Sequence, residues 1–382
     1  MRKCKWLPVI LVLLAALTAV SACAPAALPT SSPTTAVVAP TKAAETGKTA
    51  ELATPLAPTA TPQAATPMGK PASLKFGSSP SASDIGVLLA DEKGYFKEQG
   101  ITMEMVDFRT VAEMIAPLGT GQLDAIGMPL STAILAAADR GVELKMVADK
   151  GQSIPKWEYN WIVLRKDLAD SGRVKSPADL KGMKIAVPSP GSQGELAVQT
   201  LLEQAGLKAT DAEIVVLPFA EQAAAFANKA IAAAHSIEPY VSTGVQDGVT
   251  IRWIPNSQVY AGAAQIGNVI FGPTMLKDQD LGRRWMVAYL KGVRDYLKAV
   301  TAKDGWDQVV SVLVKSTPVK DRKLYDLMQM PYLNPNGQVD KRSVDEQYNW
   351  YVAKGLYTGK KTFGDLQNLS FAEYAAQRLG KQ

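Results

Sequence analysis

Short apolar runs alternate with amphipathic segments from about residue 72 onwards. Apolar runs bounded by Gly, Pro, Ser or Asp predict strands, and apolar positions repeating near three and four residues apart predict helices between them. The predicted strands lie at 73–77, 101–106, 123–127, 144–148, 161–165, 184–187, 213–217, 230–237, 250–254 and 265–271. Strands that alternate with helices in this way favour mainly parallel sheets covered by helices. We therefore predict an α/β fold.

After residue 271 the periodicity is that of helices alone. The predicted helices lie at 281–301, 306–314, 320–328, 339–354 and 363–378. The segment 166–176 reads as a connection into a second lobe, because the strand–helix alternation starts again after it. No fixed-period repeat is visible, so the pattern does not favour a solenoid.

The beginning of the chain follows a different pattern. Basic residues precede an apolar run at 7–20, which is short for a membrane span, and small residues follow immediately before Cys23. This resembles a lipobox, and it predicts a signal peptide at 1–22 and lipidation of Cys23. Residues 23–71 are dominated by Ala, Pro, Thr and Ser, which predicts a disordered tether to the membrane.

Charge and cysteine content exclude several functions. The net charge of +5 includes three basic residues of the predicted signal, which leaves +5 − 3 = +2. With no basic stripe interleaved with aromatic residues, nothing supports nucleic-acid binding. Cys4 lies in the predicted signal, so Cys23 would be the one remaining cysteine, and disulfides, thiol chemistry and cysteine-ligated metal are not expected.

The chain is poor in catalytic signals. His235 is the single histidine, and it lies in an alanine-rich apolar strand, where a core histidine is the more common case. A metalloprotease H-E-x-x-H, a phosphate-binding P-loop and G-x-G-x-x-G are all absent from the sequence. We predict a protein without catalytic activity, cofactor or metal.

Two strand–loop–helix units carry the chemistry that we expect. The strand at 184–187 leads through a Pro/Ser/Gly loop to Ser192 and Glu195, which have the S-x-x-E spacing of a capping box. The strand at 101–106 leads to the same spacing at Thr110 and Glu113. Free N–H groups and the positive end of the dipole at a helix start attract anions. Two such starts facing one another would form a binding cleft.

Other loops at predicted strand ends are rich in hydroxyl groups, and ligands of open α/β sheets bind at such ends. Arg109 has two alternatives, a bidentate clamp on an anion or a solvated loop arginine. Trp157, Tyr159 and Trp161 could line the cleft or pack in the core. The candidate ligand-binding residues are Ser79, Ser81, Arg109, Thr110, Met128, Ser131, Trp161, Ser189, Ser192, Gln193 and Glu238.

Several segments in succession resemble bacterial solute-binding lipoproteins of ABC importers for sulfonate, taurine and nitrate, a group that includes binders of thiamine pyrimidine precursors. The resemblance extends from about residue 74 to 380. The matching segments are 90–101 (ADEKGYFKEQGI), 118–125 (LGTGQLDA), 138–142 (ADRGV), 179–185 (DLKGMKI) and 190–192 (PGS). The strand before Glu238 departs from the usual pattern, with Ala232 in place of an acid and Ile237 in place of an aromatic residue.

The resemblance implies a periplasmic-binding-protein fold of type II. Lobe 1 would comprise 72–165 and 266–382, lobe 2 would comprise 166–265, and two crossing strands would form the hinge. It further implies an extracytoplasmic, lipid-anchored monomer that captures a sulfonate, nitrate or related oxyanion and delivers it to a permease with its ATPase subunits. Two alternatives stay open: a binder of a neutral heteroaromatic vitamin or precursor, and a pyrimidine-precursor biosynthetic enzyme on the same fold.

Overall fold

The computed structural model describes residues 69–382, except for the side chain of Val111. Ten strands form two five-stranded sheets within these residues. The first sheet has the order β2-β1-β3-β10-β4 and the second the order β7-β6-β8-β5-β9. The strands are β1 (Ala72–Ser78), β2 (Ile101–Asp107), β3 (Ala125–Met128), β4 (Lys145–Ser153), β5 (Asn160–Arg165), β6 (Lys184–Val187), β7 (Glu213–Val216), β8 (Ala233–Ile237), β9 (Thr250–Pro255) and β10 (Ala264–Phe271).

Each sheet contains one reversed strand. In the first sheet β1 runs parallel to β2 and β3, and β10 lies antiparallel between β3 and β4. In the second sheet β5 is the reversed strand, between β8 and β9. The reversed strand in each sheet follows directly on a strand of the other sheet. The predicted two-lobed α/β fold is confirmed, and four strands of each sheet share one direction.

The boundary between the lobes differs from the predicted one. We assigned 161–165 to lobe 1, but β5 pairs with β8 and β9 of the second sheet along its whole length. Ala264 and Gln265, assigned to lobe 2, pair with β4 of the first sheet. The chain therefore crosses between the sheets at 154–159 and at 256–263. We propose these two segments as the hinge.

Helices cover both sheets. They are α1 (Ile85–Glu92), α2 (Tyr95–Glu98), α3 (Ile115–Gly119), α4 (Thr132–Asp139), α5 (Lys166–Asp170), α6 (Gln193–Gln204), α7 (Phe219–Ala227), α8 (Tyr240–Gln246), α9 (Asn256–Val259), α10 (Pro273–Lys277), α11 (Gln279–Ala302), α12 (Trp306–Ser316), α13 (Leu324–Leu327), α14 (Lys341–Ala353) and α15 (Ser370–Leu379). Among the described residues, none of these helices is long and apolar enough to span a membrane.

The core of the first lobe is built around α11. Trp285 is fully buried, stacks near Phe76 with ring centroids 5.9 Å apart, and meets Phe271 edge-on at 5.4 Å. Phe76 and Phe271 lie on β1 and β10, so this one side chain joins the long helix to two strands. Burying an aromatic side chain of this size contributes about 2–3 kcal/mol.

The C-terminal part differs in detail from the predicted helices. The predicted helix at 320–328 is only the short α13, and 363–378 contains a 3₁₀ turn, Gly364–Leu366, before α15. The helix α14 packs against both lobes: Trp350 contacts the apolar clusters of each, and Lys354 pairs with Glu203 of α6 at 2.8 Å. This part therefore contacts both lobes.

Candidate functional site

The carboxyl ends of the co-directional strands in each sheet are directed towards the other lobe, because the crossing segments leave from the ends of β4 and β9. Two helix starts approach one another there. A Cβ atom built on Gly191, in the loop before α6, would lie 2.9 Å from Oγ1 of Thr132, the first residue of α4. The N-termini of α4 and α6 therefore meet across the space between the lobes.

The start of α6 is capped as its sequence predicts. Ser192 Oγ accepts a hydrogen bond from the Glu195 N–H at 3.2 Å. The Glu195 carboxylate accepts from the N–H of Gly191 at 2.7 Å, one residue before the expected partner. Ser189 is half-buried in the same loop. Gln193 is buried, and its Nε2 donates to the Gln265 carbonyl at 2.8 Å, so this side chain ties α6 to β10.

The start of α4 is similar. Ser131 is its N-cap, and Ser131 Oγ accepts from the Ile134 N–H at 3.4 Å. Met128, at the end of β3, is only 1 % exposed and packs with Leu130 and Ile134. Ser131 is half-buried at the start of α4, so a ligand could reach it. Met128 is a core residue, because its thioether side chain is enclosed by apolar neighbours.

The pair that we expected at 101–113 does not join this site. Strand β2 is at the edge of its sheet, and the turn after it is a short 3₁₀ segment whose N-cap, Thr110, makes no side-chain capping bond. The Arg109 side chain is 80 % exposed and lies 3.6 Å from the Glu113 carboxylate. Of its two alternatives, the solvated loop arginine is the one that the structure has. The start of α4, not this turn, faces α6.

The polar groups of Glu238 and Trp161 are hydrogen-bonded to other groups of the protein. Glu238 is fully buried, lies 3.0 Å from Arg252, and accepts the Ser242 N–H at 3.0 Å. Trp161 Nε1 donates to the Glu158 carbonyl at 2.9 Å. Glu238 thus serves to fix the β8–α8 loop, and its expected role as a ligand contact has no support in this geometry.

A closed ring of polar groups lies at the end of β1. The Lys150 ammonium, on β4, lies 2.7 Å from Asp84 Oδ1 and donates to Ser83 Oγ at 2.8 Å. Ser83 Oγ is 3.0 Å from Ser81 Oγ, which donates to Asp84 Oδ2 at 3.1 Å. Lys150 and Asp84 are almost completely buried, whereas Ser81 and its neighbour Ser79 are half-buried. We call these four residues, Lys150, Asp84, Ser83 and Ser81, the Lys150 ring.

Three further polar residues lie near the hinge: Tyr159, which the sequence analysis placed either in the cleft or in the core, and Asn160 and Asn268, which it did not single out. Tyr159 is buried with its hydroxyl beside Ser81, and burial raises the pKa of this hydroxyl. Asn160 Oδ1 and both ends of the Asn268 amide have no hydrogen-bond partner within the described part of the chain. Asn268 is fully buried opposite Met128 in the β3–β10 ladder. Buried unpaired amides are uncommon, so these groups are candidate ligand contacts.

Lys150 and Asp84 escaped sequence reasoning for a physical reason. We ended the fourth strand at residue 148, but β4 continues through the polar residues 149–153. A charged lysine in a buried strand contradicts the apolar pattern unless a partner neutralises it, and Asp84 is 66 positions away in sequence. The signal in the sequence was a glycine within a predicted strand, Gly127, which often marks a close approach. In the structure a Cβ atom there would lie 2.2 Å from Lys150 Cε, so only glycine leaves room for the lysine stem.

His235 is a packed core residue. It is 2 % exposed, its Nε2 lies 3.2 Å from Asn256 Nδ2, and a Cβ on Gly194 would lie 2.6 Å from Nδ1. Burial lowers the pKa of this imidazole to about 4, so the ring is neutral at pH 7. Within residues 69–382, no three His, Cys, Asp or Glu residues are grouped so that they could hold a metal ion.

Comparisons with known proteins agree with this architecture. A family model described as NMT1/THI5 like matches residues 82–301. A protein of Brucella abortus (strain 2308), provisionally named a binding protein, is 28% identical over 164 residues, which are 41% of this chain and 44% of that one. The 4-amino-5-hydroxymethyl-2-methylpyrimidine phosphate synthase THI12 of Saccharomyces cerevisiae is 30% identical over 132 residues, 35% of this chain and 36% of that one. The chain thus spans less than half the length of these relatives.

Solved structures share the fold. The periplasmic aliphatic sulphonate binding protein SsuA from Escherichia coli superposes with a TM-score of 0.60 at 20% identity, covering 78% of this chain and 92% of that one. The family match covers more than half of the 382 residues. The chain therefore belongs to the NMT1/THI5-like family.

Proposed function

We propose that this protein is the solute-binding component of an ABC importer. Its two lobes, joined by the crossing segments 154–159 and 256–263, close on a small polar ligand and present it to a permease with its ATPase subunits. Two lobes on two connections are the architecture of hinge closure around a ligand. The fold shared with a periplasmic sulphonate-binding protein supports this role.

The ligand that the geometry favours is an oxyanion, such as a sulfonate or nitrate. The observation that carries this is the approach of Gly191 to Thr132, which brings the N-termini of α4 and α6 together. Backbone N–H groups and the positive dipole ends of both helices then converge on one place. A hydrogen bond to a charged group contributes about 1.5–3 kcal/mol, so a few such bonds suffice for micromolar binding.

A neutral heteroaromatic ligand is the second candidate, and the state of the cationic residues favours it. Arg109 is exposed and pairs with Glu113, and Lys150 is neutralised by Asp84. Neither therefore offers a free charge to an anion. The yeast relative named as a pyrimidine phosphate synthase supports the same candidate.

We propose binding without bond chemistry. The single histidine is buried, neutral and packed against Gly194 and Asn256, which leaves it no open side for a substrate. The ligand should be recovered unchanged after long incubation with the protein. Conversion of a ligand that is abolished by His235→Gln would contradict this proposal and favour the enzyme alternative.

Calorimetric titration of the purified protein tests the ligand class. We expect ethanesulfonate or nitrate to bind and to raise the melting temperature, because binding to the folded state alone stabilises it. Thymine, as a neutral ring, should bind weakly or not at all. Binding of thymine with no response to either anion would replace the oxyanion by the neutral candidate.

We also propose an extracytoplasmic location through a signal peptide at 1–22 and a lipid on Cys23, both of which lie outside the described residues. A tether at 23–71 would let the lobes reach the permease. In the native host, Cys23→Ala should leave the protein unprocessed or released from the membrane fraction. A processed, acylated Cys23→Ala protein in that fraction would show that the lipobox assignment is wrong.

A further inference from the structure

The Lys150 ring determines the direction of each hydroxyl proton within it. An ionised Asp84 carboxylate only accepts, so Ser81 must donate its one hydroxyl proton to Asp84 Oδ2, at 3.1 Å. With that proton committed, Ser83 must donate to Ser81 Oγ, at 3.0 Å. Ser83 Oγ in turn accepts from the Lys150 ammonium, at 2.8 Å. Lys150 has no acceptor capacity, so the order of donation cannot reverse.

Ser81 consequently has no proton left for a ligand. Its oxygen accepts one hydrogen bond from Ser83 and keeps one unused lone pair. Ser81 is the half-buried member of the ring and follows the carboxyl end of β1, where it borders the space between the lobes. The ring therefore presents an acceptor at its exposed position and not a donor.

Tyr159 leads to the same result. Its buried hydroxyl lies beside Ser81 and makes no hydrogen bond of good geometry within the described residues. If this hydroxyl donates to the free lone pair of Ser81, the Tyr159 oxygen becomes the outermost acceptor. An acceptor oxygen is left at this position in both cases: the Tyr159 oxygen when its hydroxyl donates to Ser81, and Ser81 Oγ when it does not.

We propose that the β1 end of the cleft is a subsite for a hydrogen-bond donor of the ligand, an N–H or O–H group, and that Lys150 and Asp84 act as positioning residues for it. The proposal rests on the proposed binding function and specifies the ligand further: an oxyanion group at the starts of α4 and α6, and a donor group towards Ser81. A bare oxyanion oxygen at Ser81 is disfavoured, because two acceptors would face one another.

Matched probes test this subsite with the full chain. Isethionate carries a hydroxyl donor, and 2-methoxyethanesulfonate is its methyl ether, which can only accept. Isethionate should bind about tenfold tighter or more by calorimetry, the effect of one hydrogen bond to an acceptor that the ether oxygen cannot satisfy. Thymine and 1,3-dimethylthymine form the corresponding neutral pair. Equal affinities within a pair that binds, or tighter binding of a methylated probe, would overturn the proposal.

A variant pair separates positioning from stability. Lys150→Met alone would leave a buried charge, so the variant is Lys150→Met/Asp84→Asn, which removes both charges. Its affinity ratio between the two probes should fall to about one, because the hydroxyl protons are no longer fixed. The control is Lys93→Met/Asp295→Asn, a 2.6 Å pair on the outside of lobe 1, which should keep the ratio. A folded ring variant with the wild-type ratio would overturn the proposal.

Neutron diffraction from deuterated crystals tests the proton order without any ligand. The Ser81 deuteron should lie on the line to Asp84 Oδ2, and the Ser83 deuteron on the line to Ser81 Oγ. Any other orientation would contradict the subsite directly. If none of the four probes binds, the proposed ligand classes fail, and the neutron result still decides the direction of the ring.

Discussion

Gly191 and Thr132 belong to different lobes, yet a Cβ atom on Gly191 would lie 2.9 Å from Thr132 Oγ1. Real Cβ atoms seldom approach an oxygen so closely, so the two lobes touch here through a glycine. Gly191 also has a φ of +61°, a conformation that side chains other than glycine rarely adopt. The lobes can approach this closely only because residue 191 has no Cβ atom.

Gly191→Ala should impair closure of the lobes. The left-handed backbone costs about 1 kcal/mol for alanine, and the clash with Thr132 adds an outward push on α4. We expect weaker ligand binding and, in small-angle X-ray scattering, a larger radius of gyration in the presence of ligand. The control is Gly206→Ala, with φ +75° and no atom within 4 Å of its Cβ, which carries the backbone cost without the clash. Equal behaviour of the two variants would show that the contact has no role in closure.

Arg109→Ala should have almost no effect on the stability of the protein or on its affinity for ligand. The side chain is 80 % exposed, and surface ion pairs contribute about 0–1 kcal/mol. Ser192→Ala removes the cap of α6 at the site and should cost about 1 kcal/mol in stability, as measured by denaturant unfolding. Ligand affinity of both variants completes the comparison. A loss of affinity in Arg109→Ala larger than in Ser192→Ala would return the arginine clamp to consideration.

His235 should make the protein less stable in acid. Burial lowers its pKa from 6.5 to about 4, so between these values the unfolded chain binds a proton that the folded protein does not. The stability that depends on the neutral ring is complete above about pH 6.5 and declines as the pH falls towards 4. Between about pH 7.5 and pH 4.5, wild type should lose about 2–3 kcal/mol more than His235→Gln in denaturant unfolding. Parallel losses in the two proteins would show that this histidine does not contribute.

Gly127→Ala should destabilise the first lobe. Its Cβ would fall 2.2 Å from Lys150 Cε and would force the lysine stem off its path to Asp84. Overpacking of this kind costs about 1–3 kcal/mol. Gly267→Ala is the matched control, because its nearest contact is an ordinary 3.6 Å from Lys150 Cβ, and it should cost less in thermal unfolding. Similar losses would indicate that the stem can move aside.

The sequence predicts the architecture better than the site. Apolar runs locate the strands, and apolar positions at helical spacing locate the helices between them. Both patterns are strong because burial of apolar side chains dominates both lobes. Ser131 and Ser192 follow from helix-start chemistry, which is local. Arg109 was ambiguous because loop arginines have the same sequence pattern whether they are solvated or bound, and its exposure beside Glu113 appears only in the structure.

The pairing of Lys150 with Asp84 and the ends of the hinge could not be predicted from local patterns. Asp84 and Lys150 are paired by the topology of the first sheet, which no local pattern reports. The boundary at residue 165 was wrong because β5 carries an apolar pattern that fits either sheet. Its antiparallel pairing with β8 and β9 depends on long-range register.

The reversed strands determine which sheet can be completed first along the chain. In the first sheet β4 joins its neighbours through β10, which is synthesised only after every strand of the second sheet. All strands of the second sheet lie in the uninterrupted stretch from β5 to β9. Along the chain, the strands of the inserted lobe are therefore complete first, while β1 to β3 still lack β10. The N-terminal lobe is the last to be finished, and premature termination before residue 264 leaves it open at the edge of β3.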